Sequence, residues 1–143
     1  MARIGLLEDN YRISKLCATM LNYAGHEVTI YVEAFECLYA LSILDSPFEP
    51  LPASTANVHT LPIDVLILDL HLPTIPGIEV LRLLRNTPHT CDLPLIFCTA
   101  ATPSEVRAAF TIAPDAALVE KPFKLQALMS AIAEVLPEPM EQR

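Results

Sequence analysis

Glycine is scarce in this chain, with three in 143 residues. Folds that bind nucleotides or flavins cradle the phosphate groups in glycine-rich loops, and three scattered glycines provide no such loop. Basic residues are few as well, nine against 17 acidic residues, and they are not clustered. The resulting net charge of −8 argues against a nucleic-acid-binding surface within these residues. A separate DNA-binding domain attached beyond the C-terminus is left open.

Metal-binding cysteine pairs and membrane spans are missing too. The four cysteines, Cys17, Cys37, Cys91 and Cys98, show no CxxC spacing. All but Cys91 lie in apolar patterns, where a thiol behaves as a small hydrophobic side chain, and we expect the cysteines to be reduced. No apolar run approaches the roughly 18 residues of a membrane span, and the first residues lead into a predicted strand without a signal peptide. These absences predict a soluble, cytoplasmic domain with no membrane partner.

The most informative stretch is VLILDLHLP, residues 65–73, in which an aliphatic run ends on a carboxylate, Asp69. A short, β-branched-rich apolar run is typical of a strand buried on both faces, and such strands belong to parallel sheets covered by helices. Ligands of these sheets bind at the carboxyl ends of the strands. Asp69 is therefore a candidate functional residue, although a single acid at such a place can also serve only to cap a turn.

Strand and helix patterns alternate along the whole chain, five of each. This order predicts an α/β fold with a doubly wound, five-stranded parallel sheet flanked by five helices. We assign residues 1–137 to this domain and residues 138–143 to a tail or the start of a linker. The predicted strands are 3–7, 26–31, 65–69, 93–99 and 116–120, and the predicted helices are 13–24, 34–41, 78–84, 104–112 and 125–136.

A proline-rich stretch, residues 45–62, separates the second predicted helix from the third strand. It contains four of the 13 prolines and shows no apolar period. The stretch is long for a connection inside a compact domain. Because it joins the end of a helix to the start of a strand, it is predicted at the edge of the sheet opposite Asp69. We expect a solvated insertion, with a partner-binding loop as the alternative.

Two of the helices carry specific signals. In the first, apolar residues recur with helical spacing and Gly25 ends the helix. In the fourth, Thr102 is predicted as the N-cap, Pro103 as the first helical residue and Glu105 as the partner that completes a capping box. The inward face predicted for the first helix comprises Ile13, Leu16, Cys17, Met20, Leu21 and Ala24.

Polar side chains stand at the carboxyl ends of four of the five predicted strands. Glu8 and Asp9 follow the first strand, and Asp69 ends the third. Thr99 ends the fourth strand, and Lys121 follows the fifth. Three carboxylates at one edge repel one another unless a cation joins them, and oxygen ligands of this kind suit Mg²⁺. With a metal and Lys121 to neutralise charge, Asp69 is a candidate phosphoryl acceptor, and Thr99 can donate to a phosphoryl oxygen.

On these motifs the sequence resembles the receiver domain of two-component response regulators, which has the CheY-like fold, over essentially its whole length. The motifs are the acid pair in LLEDN, the candidate acceptor in LILDLHLP followed by PxxPG, the hydroxyl in FCTA and the lysine in EKPF. The separations of 30 positions from Asp69 to Thr99 and 22 from Thr99 to Lys121 agree with the family. The resemblance implies a phosphoacceptor signalling domain rather than an enzyme, with at most hydrolysis of its own phosphoryl group.

The resemblance also implies roles for single residues. Asp69 would take a phosphoryl group from a phosphohistidine on a sensor histidine kinase or phosphotransfer protein. Glu8 would act on Mg²⁺ largely through water, and the side chain of His71 is expected at the solvent-facing rim. The residues that hold Mg²⁺ would be Glu8, Asp9, Asp69 and the backbone carbonyl of His71.

The resemblance also implies a conformational change on phosphorylation. A cis Lys121-Pro122 peptide bond would help to aim the lysine. Phosphorylation would draw Thr99 toward the phosphoryl group and change the surface formed by the fourth helix, the fifth strand and the fifth helix, which a downstream effector would read. The family commonly has an aromatic residue where this chain has Leu118, so the usual coupling of hydroxyl and ring is altered. A homodimer is left open, although the acidic motif of one dimerising subfamily is not evident.

Two other classes of protein share parts of this pattern. A phosphatase of the haloacid dehalogenase type also forms an aspartyl phosphate, but it needs a second aspartate two positions on, where this chain has His71. A docking module that is never phosphorylated usually lacks the acceptor or one of the acids, and this chain retains them all. A receiver segment of a hybrid kinase or of a DNA-binding regulator fits the sequence nearly as well and stays open.

Overall fold

The computed structural model describes residues 2–43 and 61–136. The predicted insertion, apart from residues 61 and 62, and the predicted tail 138–143 lie outside the described residues. Those two predictions therefore stay predictions, as does the domain boundary at residue 137.

Five strands and five helices alternate through the described residues, as predicted. The strands form one parallel sheet in the order β2-β1-β3-β4-β5. The elements in chain order are β1 (Arg3–Leu7), α1 (Tyr11–Tyr23), β2 (Glu27–Tyr31), α2 (Ala34–Ala40), β3 (Val65–Leu68), α3 (Gly77–Arg85), β4 (Leu95–Thr99), α4 (Pro103–Ile112), β5 (Ala117–Glu120) and α5 (Leu125–Val135).

Each face of the sheet is covered by its own apolar layer. On β3, Leu66 and Leu68 belong to the layer that contains α2 and α3, whereas Val65 and Ile67 belong to the layer that contains α1 and α5. Successive side chains of a strand point to opposite faces, so a central strand between two helix layers must be apolar throughout. All four residues of β3 are fully buried, which confirms the strand predicted from VLIL.

The register of the sheet sets the site at one edge. Leu7 of β1 lies opposite Leu68 of β3, and both are the last residues of their strands. Glu8 and Asp69, one position further on, therefore emerge side by side. Thr99 of β4 pairs with Glu120 of β5, so the residue after β5 emerges beside the end of β4. The predicted gathering of polar groups at the carboxyl edge is thus a consequence of strand register.

Two details of the predicted elements are wrong. Leu16 and Ala24 are exposed, and the buried face of α1 instead comprises Ser14, Cys17, Ala18 and Leu21. The helical period was correct, but the buried face is rotated about the helix axis: it includes Ser14 and Ala18 and leaves Leu16 57% exposed. The fourth strand starts at Leu95 rather than at residue 93, because Pro94 has no N–H to donate to a neighbouring strand.

Three other sequence predictions are confirmed. The capping box of α4 forms, with Thr102 accepting from the Glu105 N–H and the Glu105 carboxylate accepting from the Thr102 N–H. All four cysteines are free thiols, and three of them are buried. Gly25 follows α1 with a φ of +99°, a left-handed conformation that glycine adopts at little cost.

His26 gives the fold a pH dependence. Its Nδ1 accepts a hydrogen bond from the Ala2 N–H at 3.0 Å, while its buried Nε2 has no hydrogen-bond partner among the described residues. Burial lowers the pKa of His26 from its ordinary value of 6.5. A lowered folded-state pKa means that the unfolded chain binds the proton more readily, so stability contributed at neutral pH is lost as the pH falls below 6.5.

We expect His26→Gln to remove this part of the pH dependence. The measurement is the free energy of unfolding by urea between pH 5 and 8, compared with that of the native chain. The native chain should lose more stability than the variant on acidification from about pH 6.5. Parallel pH profiles for the two proteins would contradict the assignment.

Candidate phosphorylation site

Three carboxylates meet at the carboxyl edge of the sheet. Glu8 follows β1 and is held by its backbone N–H, which donates to the Tyr31 carbonyl at 3.1 Å. Asp69 follows β3, and its N–H donates to the Leu7 carbonyl at 3.2 Å. Glu8 and Asp69 are buried and Asp9 is exposed, with one carboxylate oxygen of each within 4.8 Å of the others. The structure thus brings together the three acids that the sequence placed there.

Lys121 reaches the same point from the end of β5. Its Nζ donates to Glu8 Oε1 at 2.6 Å and to Asp69 Oδ2 at 2.8 Å, and its side chain is only 14% exposed. The Lys121 N–H donates to the Thr99 carbonyl at 3.1 Å, and the Lys121-Pro122 bond is cis, as predicted. Lys121 is therefore a half-buried cation that bridges two buried acids, not a surface lysine.

The charges at this point do not balance. Burial raises the pKa of Glu8, and hydrogen bonds from Lys121 and from the Asn10 N–H offset that rise only in part. Burial alone would lower the pKa of Lys121, but its hydrogen bonds to Asp69 and Glu8 outweigh it, and the pKa lies above its ordinary value. One ammonium against three carboxylates leaves excess negative charge in a partly dry site. A further cation would relieve that excess.

The two oxygens of Asp69 have different partners. Oδ1 accepts from the Thr99 hydroxyl at 2.9 Å and from the His71 N–H at 3.0 Å, whereas Oδ2 accepts from Lys121. Thr99 Oγ1 in turn accepts from the Ala101 N–H at 3.1 Å. The hydroxyl is therefore held between the acid and the loop that leads into α4. This buried contact confirms that Thr99 and Asp69 are neighbours across 30 residues of sequence.

His71 lies at the rim, with a side chain 53% exposed, as the sequence predicted. Its Nε2 nevertheless lies 3.0 and 3.1 Å from the carboxylate oxygens of Glu105. Hydrogen bonds from Thr102 and from His71 lower the pKa of Glu105. The sequence identified Glu105 only as a capping residue. Nothing in its local pattern indicated a contact with a loop 34 residues earlier.

The acid cluster suits a hard divalent cation. Carboxylate oxygens are the ligands that Mg²⁺ prefers, and Mg²⁺ is usually held by one or two of them together with water. Asp9, which is exposed, leaves the cluster open to solvent on one side. The side chains that would hold the ion are those of Glu8, Asp9 and Asp69. Coordination by the carbonyl of His71 stays a prediction.

Two openings adjoin the cluster. A groove of about 470 Å³ is lined by Asp9, Leu72, Pro76 and Glu105, among other residues, and gives access from the side of the β3–α3 connection. A smaller pocket of about 240 Å³ lies between Thr99, Val106 and Leu118. Leu118 is half-buried, and its side chain fills less space than the aromatic ring common in receiver domains.

Such a fold, with three acids, a hydroxyl and a lysine at its carboxyl edge, defines a receiver domain. The sequence matches the response regulator receiver domain family over residues 4–133. The chain belongs to that family. Receiver domains are signalling domains of two-component systems rather than enzymes, and the family binds Mg²⁺ at its acidic pocket.

Curated relatives are response regulators. The chain is 33% identical over 138 residues to the phosphate regulon transcriptional regulatory protein PhoB of Rhizobium meliloti, covering 95% of this chain and 52% of that protein. It is 26% identical over 137 residues to the response regulator SaeR of Staphylococcus aureus, covering 95% and 51%. The chain thus spans about half the length of the curated relatives it matches.

Solved structures share the fold. A putative response regulator from Chloroflexus aurantiacus superposes with a TM-score of 0.75 at 24% identity, covering 94% of this chain and 96% of that one. The chemotaxis protein CheY4 of Vibrio cholerae gives a TM-score of 0.74 at 21% identity, covering 95% and 99%. These likenesses confirm the CheY-like architecture. In residues 2–43 and 61–136, no helix is long and apolar enough to cross a bilayer.

Proposed function

We propose that this chain is a Mg²⁺-dependent phosphoryl acceptor switch with Asp69 as the acceptor. The proposal is supported mainly by the hydrogen bonds and charges around the Asp69 carboxylate. One of its oxygens is held by a hydroxyl and a backbone N–H, the other by Lys121, and two more carboxylates lie within 4.8 Å. These donors hold the carboxylate in a fixed orientation and can also stabilise negative charge on a transferred phosphoryl group, which is what a phosphoryl acceptor site requires.

The donor is proposed to be a phosphohistidine on a sensor histidine kinase or phosphotransfer protein. An oxygen of Asp69 bonds to phosphorus while the phosphorus–nitrogen bond breaks, and the imidazole nitrogen leaves with the electron pair. Lys121 and the Thr99 hydroxyl are positioned to stabilise oxygens of the transferred group. A bound Mg²⁺, held by Glu8, Asp9 and Asp69, would supply further neutralisation of phosphoryl charge.

The output is proposed to pass through the surface of α4, β5 and α5. The Thr99 hydroxyl donates to Asp69 and accepts from the N–H of Ala101, the residue immediately before Thr102, the N-cap of α4. When Thr99 turns to a phosphoryl oxygen, the loop that begins α4 loses its present anchor. The pocket beside Leu118 leaves room for that loop to move inward without the aromatic ring usual in the family.

The partner that reads this surface is proposed to lie outside the chain or in a further domain. PhoB is named as a transcriptional regulatory protein, and about half of it extends beyond the matched region. A C-terminal DNA-binding domain is therefore one candidate output, and a hybrid kinase with an attached receiver is the other. The net charge of −8 argues against nucleic-acid contact by the present residues.

Intact-mass measurement after incubation with acetyl phosphate tests the proposal. We expect a single phosphoryl adduct on the native chain in Mg²⁺, none in EDTA, and none on Asp69→Asn. The matched control is Asp92→Asn, which removes an exposed acid away from the cluster and should leave the adduct intact. An adduct on Asp69→Asn would place the acceptor at another residue. No adduct on the native chain in Mg²⁺, together with no beryllofluoride binding, would favour a docking module instead.

A further inference from the structure

Hydrogen bonds around the acceptor close into a ring that the family motifs do not include. From Asp69 Oδ1 the path runs through the Thr99 hydroxyl to the Ala101 N–H, at 2.9 and 3.1 Å. The next residue, Thr102, donates through its N–H to Glu105 Oε1 at 2.8 Å. Glu105 contacts His71 Nε2, and the His71 N–H returns to Asp69 Oδ1 at 3.0 Å.

The side chain of Glu105 links two segments of this ring, which the hydrogen bond from Thr99 to Asp69 also links. Its carboxylate holds the first turn of α4 on one side and the β3–α3 connection, through His71, on the other. The β3–α3 connection follows Asp69 in the sequence, and the start of α4 follows Thr99. A bond between them therefore resists any displacement of α4 relative to Asp69.

We infer that Glu105 is a positioning residue for phosphorylation, and that its contact with His71 acts as a clasp that stabilises the unphosphorylated arrangement of α4. The inference rests on the proposed function, because it concerns the equilibrium between the two arrangements of that switch. The clasp bridges the segments while Thr99 is bonded to Asp69. When Thr99 moves toward a phosphoryl group, the start of α4, which carries Glu105, moves with it. The contact between Glu105 and His71 therefore stabilises only the unphosphorylated form.

The probe is beryllofluoride with Mg²⁺, whose affinity is read by titration calorimetry. His71→Ala removes the clasp and leaves the capping box in place, whereas Glu105→Ala removes both. Each variant should bind beryllofluoride about 1.5 to 5 times more tightly than the native chain, the range expected when one exposed ionic hydrogen bond is lost from the resting form. The double variant should bind no more tightly than the stronger of the two.

Glu79→Ala is the matched control. Glu79 lies in the first turn of α3 and pairs with Arg82 on the same helix, so its loss removes an exposed glutamate without touching the ring. Its affinity for beryllofluoride should equal that of the native chain. A second readout is the NMR shift of the Ala101 amide without ligand, which should move in His71→Ala and Glu105→Ala and stay unchanged in Glu79→Ala.

The outcomes separate the two proposals. Affinities that are unchanged or weaker in the clasp variants, or single effects that add fully in the double variant, would overturn the clasp and leave the phosphoacceptor function standing. A native chain that binds no beryllofluoride in Mg²⁺ would overturn the proposed function, and with it the coupling of the clasp to the switch.

Discussion

Lys121→Met is expected to destabilise the metal-free chain by about 3–5 kcal/mol, because it leaves two buried carboxylates without their shared cation. Lys121 Nζ lies 2.6 Å from Glu8 and 2.8 Å from Asp69, and the side chains of those acids are 4% and 9% exposed. Removing one partner of a buried ionic group costs more than the group contributes when complete, since the remaining charges keep their desolvation penalty.

The stability lost in Lys121→Met should increase as the pH rises. Without Lys121, the pKa of Glu8, which burial already raises, moves further above its ordinary value of 4.5. A raised folded-state pKa for an acid means that stability falls as the pH rises from the unfolded pKa through the folded one. The free energy of unfolding by urea, measured at pH 6 and pH 8, tests this pH dependence. Added Mg²⁺ should restore part of the stability by binding to the carboxylates of the acid cluster.

Lys124→Met provides the matched control, since Lys124 is exposed and its side chain makes no capping hydrogen bond. It should change the free energy of unfolding by less than about 0.5 kcal/mol at either pH. If the Lys121 variant were as stable as this control in EDTA, the account of an unbalanced acid cluster would be wrong.

Gly77→Ala is the second change with a large expected effect. A Cβ built at Gly77, the first residue of α3, would lie 2.5 Å from Leu70 Cα and 2.7 Å from the Asp69 carbonyl oxygen. Alanine favours a helix by about 1 kcal/mol over glycine. That gain cannot offset contacts this short with backbone atoms, so α3 and the β3–α3 connection must separate, at a cost of about 1–3 kcal/mol.

The consequence extends to the site, because Asp69 and His71 belong to the displaced segment. We expect weaker beryllofluoride binding together with a lower melting temperature for Gly77→Ala. Gly25→Ala separates the two effects: its Cβ meets nothing within 4 Å, and only the φ of +99° is unfavourable. That variant should lose stability but bind beryllofluoride as the native chain does. Equal binding by both variants would contradict the role given to Gly77.

The order and type of the elements could be predicted largely because four of the five strands are short apolar runs that end at, or are followed by, a polar residue. β3 is the clearest case, since four buried aliphatic residues indicate a central strand and place Asp69 at its carboxyl end. The buried faces of the helices were harder to predict. In α1, Ser14 and Ala18 are buried and Leu16 is exposed, because the rotation of the helix about its axis is set by tertiary packing, which a hydrophobic period does not specify.

The positions of the five polar site residues could also be predicted, because the register of a parallel sheet brings the strand ends together independently of the loop conformations. These residues are Glu8, Asp9, Asp69, Thr99 and Lys121. The contact of His71 with Glu105 could not be predicted. It depends on the path of the β3–α3 connection and on the position of α4 above it, which no local pattern fixes. Glu105 already had a sufficient local explanation as a capping residue, so its sequence context gave no reason to look for a second partner.

Chemical trapping of the phosphoryl group tests the central claim, that Asp69 is the acceptor, most directly. The native chain is phosphorylated with acetyl phosphate and Mg²⁺, then reduced with borohydride, which converts an acyl phosphate into an alcohol and turns aspartate into homoserine. Peptide sequencing by mass spectrometry locates the product. We predict homoserine at position 69 and nowhere else, and none when Mg²⁺ is removed. Homoserine at position 9, or reduction at position 8, would contradict the account.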